Sequence, residues 1–196
     1  MILIFRRTGE RRYGVEAQRP GRPDVVMHPA PGYDPLVPHD MMHLVVEAQL
    51  GLTRGVFGQL AAGGNAGTFH VPISADETSR KLARVRKRLR GKGSKMLRES
   101  REESALSERA TYICWYEWLA RSSSSDRRKL SQAMAKQARE VRDTAGDSEL
   151  QILNERKLDE ICKHLDNLSS QWSSLEVGQS IAVRWPDLAI VTAANR

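Results

Sequence analysis

Hydrophobic positions change their spacing twice along this chain. From Ile2 to Arg7 the run ILIFRR is apolar and β-branched, and from Tyr13 to Arg19 apolar and polar residues alternate after Gly14. That alternation is the period of a half-buried strand. TGERR (Thr8–Arg12) and PGRP (Pro20–Pro23) supply turn residues, and DVVMHP (Asp24–Pro29) reads as a third strand. The pattern predicts a three-strand meander. APGYDPLVP follows as a loop, because its prolines and glycines exclude regular structure.

Beyond Pro38 the period lengthens to that of a helix. Pro38 fits a first turn, Leu44, Val45, Ala48 and Leu52 form a stripe, and Gly51 suits a C-terminal cap, so a helix is predicted to about Leu50. RGVFGQLAAGGNAG reads as a short second helix ending at Gly63–Gly64, and TFHVP (Thr68–Pro72) as extended. SADE (Ser74–Glu77) has the form of a capping box. Leu82, Val85, Leu89 and Met96 then give a basic helix one apolar seam. Gly91 and Gly93 are expected to break it, each costing about 1 kcal/mol relative to alanine.

ALSERATYICWYEWLA (Ala105–Ala120) is again helical in spacing, with Ile113, Tyr116 and Leu119 expected in the core and one tryptophan facing a partner. Further helices are predicted over about Asp126–Arg142 and, after a stop at DTAGD, over a segment holding Ile152, Leu158, Ile161, Leu165, Leu168 and Trp172 on one face. Ile181, Val183 and Trp185 return to alternation, so the tail is expected to rejoin the N-terminal strands.

The predicted fold is α+β: a small antiparallel sheet from N- and C-terminal strands packed on helices, with a long helical hairpin insertion. Residues 1–72 with 175–196 form a small core carrying the His39 helix. Residues 74–172 form a helical hairpin or bundle with a basic first helix.

Composition changes this picture in two places. Arg80–Arg101 holds eleven Lys or Arg and one acid, a local +10, so the remainder of a chain of net charge +7 sums to −3. The basicity belongs to one helix. Cys114 and Cys162 form no CxxC and are too few for a disulfide framework, so reduced buried thiols are expected, a helix-to-helix disulfide being the alternative. No signal peptide is visible, and no stretch approaches the roughly 18 apolar residues of a membrane span. A cytoplasmic protein without a transmembrane segment is expected.

Candidate chemistry concentrates in VPHDMMHLVVEAQLGL (Val37–Leu52). Residues four apart share a helix face about 6 Å apart along the axis, so His39 and His43 can reach one ion. The spacing resembles the HExxH motif of zinc hydrolases, with Asp40 where that motif has its glutamate. The resemblance implies His39 and His43 as metal ligands and Asp40 as the catalytic base. The HDxxH pattern also resembles that of the coenzyme Q biosynthesis protein family that carries a helical metal site. That family has glycine at the position of Glu47 and a glutamate near that of Gln59. A third ligand is sought in His70 or Glu47, with His28 and Asp34 as further loop candidates; the cofactor expected is a divalent metal, zinc or iron.

The first expectation for function is therefore a metal-dependent hydrolase. The alternative is a non-enzymatic interaction module. Arg80, Lys81, Arg84, Arg86, Lys87, Arg88 and Arg90 can neutralise phosphates of a nucleic acid without reading sequence, though no interleaved aromatics offer stacking. The same helix can meet a protein partner, self-associate through the hairpin, or stand as a solvated face paired with Glu99, Glu102, Glu103 and the acidic segment Asp147–Glu160. Gly58–Gly67 has neither P-loop nor GxGxxG spacing, and Ser122–Ser125 lacks a nucleophile elbow, so neither carries an assignment.

Overall fold

The computed structural model describes residues 1–72 and 79–192. The SADE motif and the side chains of Lys81 and Leu82 lie outside the described residues.

The N-terminal strands form as predicted: β1 (Ile2–Gly9), β2 (Arg12–Gln18) and β3 (Val25–Ala30). Near the C-terminus β4 (Ser180–Arg184) and the two-residue β5 (Ile190–Val191) complete a five-stranded antiparallel sheet in the order β3-β2-β1-β4-β5. The register places Val15, Phe5 and Ile181 side by side, and likewise Ala17, Leu3 and Val183. All six side chains are buried. Cross-strand neighbours share a face, so these rows make one apolar surface.

The helices are α1 (His39–Leu50), α2 (Val56–Ala61), α3 (Ser79–Glu99), α4 (Arg101–Ala120), α5 (Ser125–Asp143), α6 (Asp147–Ile152) and α7 (Glu155–Ser173). Pro38 occupies the N-cap of α1 and not its first turn, and Gly51 closes it at φ 67°. The expected stripe understates the burial of α1. Met41 to Glu47 are buried consecutively, because α1 meets α2, α4 and α7 while Tyr13 of β2 reaches its first turn. The apolar face of α7, from Leu158 to Trp172, is buried as predicted, and Trp172 meets Tyr13 edge to face at 6.1 Å. The core is therefore continuous from sheet to helices.

Four local expectations are corrected. α3 does not break at Gly91 or Gly93. A Cβ at Gly93 would fall 1.7 Å from Asn65 Oδ1, so this glycine lets the helix approach the Asn65 turn closely. Ile152 is not on the α7 face: the chain breaks at Leu153, Asn154 caps α7 through the Lys157 amide at 3.1 Å, and Ile152 is exposed. Trp118, not Tyr116, enters the core, with its Nε1 on Asp166 at 2.8 Å and Arg127 over its ring. The acidic segment turns to α4 instead of α3, where Glu149 meets Arg109, and Glu155 and Asp159 meet Arg121. Cys114 and Cys162 are free thiols. Among the described residues no helix is long and apolar enough to cross a membrane.

Candidate metal centre

A helix buried on all sides must satisfy its polar groups inside the protein. α1 carries two such groups, His43 and Glu47. Glu47 is fully buried and accepts the amides of Val56 at 2.8 Å and Phe57 at 2.9 Å, the first residues of α2. The Ser107 hydroxyl of α4 donates to the same carboxylate at 2.9 Å. Gly55 leaves room for this arrangement, since a Cβ there would lie 2.3 Å from the carboxylate. Burial pushes Glu47 up to about 7, against the opposing pull of those donors.

The Ser107 proton goes to Glu47, so its oxygen is left to accept. His43 Nδ1 lies 3.0 Å from that oxygen and 3.2 Å from Thr111 Oγ1, one helical turn further along α4. With its proton on Nδ1 the ring donates to Ser107; with its proton on Nε2 it accepts from the Thr111 hydroxyl. In the first of these states Nε2 keeps a lone pair. Burial, and secondarily His39, push His43 down to about 3, so the ring is neutral at neutral pH.

Nε2 of His43 faces Nε2 of His39 at 3.1 Å and a Glu108 carboxylate oxygen at 3.6 Å. The two imidazoles stand edge to face, centroids 4.6 Å apart. One ligand atom from each of His39, His43 and Glu108 lies within 4.8 Å of the other two. Two nitrogens bound to one tetrahedral zinc at about 2.0–2.1 Å lie about 3.3 Å apart, close to the separation of this pair. His43 is 4% exposed and Glu108 68%, so the group opens on one side to solvent. The group thus offers three donor atoms and one side open to water.

Asp40 adjoins this group. The Tyr13 hydroxyl contacts its carboxylate and lies 2.6 Å from the Pro31 carbonyl. One hydroxyl proton cannot serve two acceptors. Burial raises the Asp40 carboxyl above its ordinary value, and the hydrogen bond donated by Tyr13 opposes that shift.

The other sequence candidates lie elsewhere. Glu47 is occupied as the cap of α2, and neither it nor His70 belongs to the His39–His43–Glu108 group. His70 bridges to Val26 by two backbone hydrogen bonds, of 2.8 and 2.9 Å. His28 is exposed on β3, and Asp34 accepts the Leu36 amide at 2.7 Å in the turn before α1. Gln59 is buried and donates to Arg54 and Ser100. Sequence reading missed Glu108. Its one local signal is Ser107 with Thr111, two polar residues a helical turn apart on a buried face.

Of the basic residues, Arg80, Arg84, Lys87, Arg88 and Arg90 are exposed, Arg86 is half-buried and donates to the Val71 carbonyl, and Lys95 pairs with Glu99. Comparison of the chain with protein-family models, with curated proteins and with solved structures returns no match.

Proposed function

We propose that His39, His43 and Glu108 hold one divalent cation, zinc or iron(II), and that the protein is a metal-dependent hydrolase. The observation that carries this reading is the convergence of one ligand atom each from His39, His43 and Glu108 within 4.8 Å, with His43 Nδ1 held by Ser107 and Thr111. Outer partners of this kind fix the tautomer and orientation of a ligating imidazole. A bound divalent ion would acidify water and polarise a scissile carbonyl or phosphoryl group. In this chain Asp40 serves as the acid–base group, held by Tyr13 beside His39. Glu47, Ser107 and Thr111 act as positioning residues.

Elemental analysis tests the reading directly. The purified chain, reconstituted with zinc or iron(II) and desalted, should retain about one ion per chain. His39→Ala and Glu108→Gln should lower its affinity by about tenfold or more, with thermal midpoints unchanged because both side chains reach solvent. Asp40→Asn should keep the ion and lose about a hundredfold in kcat on an activated ester or phosphodiester. Absence of stoichiometric metal, or equal retention by the ligand variants, would overturn the metal reading. Metal retained without hydrolysis would overturn only the enzymatic one.

A further inference from the structure

Leu89 of α3 is seated in the core, so the basic residues of this helix divide between two flanks. On one, Arg88 and Lys92 line a cleft of about 420 Å³ with Arg19 and Arg22. Those cations are largely committed to backbone carbonyls. Arg19 donates to Pro23, Leu60 and Gly64, and Arg22 and Lys92 both donate to Ala62.

The other flank differs. Arg86 and Arg90 line a cleft of about 570 Å³ closed by Phe69, His70, Val71 and Leu89. The Val71 carbonyl holds one terminal nitrogen of Arg86 at 3.1 Å, which fixes the guanidinium. Its Nε is buried and has no hydrogen-bond partner among the described residues. Among the described residues Arg90 has no ion pair or hydrogen bond either, and no acid lines the cleft. The remaining walls are mainly apolar, and the volume lies within the range of small-ligand sites.

Two guanidiniums at one cleft, neither paired with an acid among the described residues, suit a carboxylate, sulfonate or phosphate oxygen. The apolar walls require a hydrophobic body behind that head. We infer that this cleft binds a small organic anion, a single acidic group on an apolar or aromatic skeleton. A nucleic-acid strand fits less well, because Phe69 is buried away from stacking and on the opposite flank Arg19, Arg22 and Lys92 donate to backbone carbonyls. The inference is independent of the α1–α4 metal reading.

Fluorescence titration with anilinonaphthalene sulfonate, an anion on an aromatic body, tests it. The intact chain should bind at one saturable site, and uncharged phenylnaphthylamine should bind about tenfold more weakly. Arg86→Gln with Arg90→Gln should weaken the anionic dye about tenfold, at an unchanged thermal midpoint. Should loss of the Arg86–Val71 bond loosen the fold, Arg90→Gln alone must still weaken binding about threefold. Arg88→Gln with Lys92→Gln should change nothing. Equal binding of the uncharged dye, or unchanged affinity in the Arg90 variant, would overturn the inference. So would displacement of the dye by a single-stranded oligonucleotide that needs Arg88 and Lys92 as much as Arg86 and Arg90, because that is a polyanion track.

Discussion

In α1 the ionisable residues His43 and Glu47 are shut away from water and every contact is accounted for; in α3 arginines and lysines stand largely in solvent, and Lys95–Glu99 is the ion pair found within the helix among the described residues. One carboxylate in α1 holds the start of α2 and, through Ser107, orients His43 on the far side. A whole row of cations in α3 has no comparable structural duty. What a polar side chain does for the fold depends on how much water it has lost, because an unmet buried group costs its full desolvation. The residues that α3 leaves uncommitted are the ones available to a ligand.

The largest expected effect lies at Glu47. Glu47→Ala strips the acceptor from Val56, Phe57 and Ser107 and should lower stability by about 3–4 kcal/mol in urea denaturation. Arg84→Ala on α3 should stay within about 0.5 kcal/mol. Similar losses for the two would break the comparison.

The pH dependence sharpens it. Glu47 in the fold titrates near 7, above its ordinary 4.5, so its contribution is full below about 4.5 and is lost as pH rises through about 7. His43, depressed from 6.5 to about 3, contributes above about 6.5 and loses its contribution as pH falls toward 3. The two slopes oppose each other between roughly 4.5 and 6.5. In Glu47→Gln the glutamate slope is gone, so the variant's stability should rise more steeply with pH than the parent's up to about 6.5. Denaturant midpoints across that range check this, and a profile parallel to that of the parent chain would remove Glu47 from the account.

Smaller effects separate two glycines of α3. Gly93→Ala should destabilise by about 1–2 kcal/mol despite its better helix propensity, because Asn65 blocks the added carbon. Gly91→Ala meets nothing within 4 Å and should stabilise by about 0.5–1 kcal/mol. Thermal melts of the pair should therefore move in opposite directions.

The strands, the ends of α1 and the apolar face of α7 were legible in the sequence because each follows from local spacing or a cap residue. So was the return of the tail, since Ile181 and Val183 alternate as a strand next to a sheet must. Gly93 misled because propensity registers its cost within a helix but not the Asn65 contact across space. Glu47 was readable as a buried carboxylate in an apolar run, yet its partners belong to α2 and α4. Glu108 was out of reach: its neighbour Ser107 lies 64 residues beyond His43, and only the packing of α4 on α1 joins them.

The borders of the sheet carry a consequence for how copies of this chain behave in concentrated solution. On one side, among the described residues, β5 offers two residues to an incoming strand. On the other β3 contains Pro29, which has no amide hydrogen, and Val26 is already taken by His70. Among the described residues neither margin presents a long row of vacant backbone donors, so fibrous growth by strand addition finds little template there.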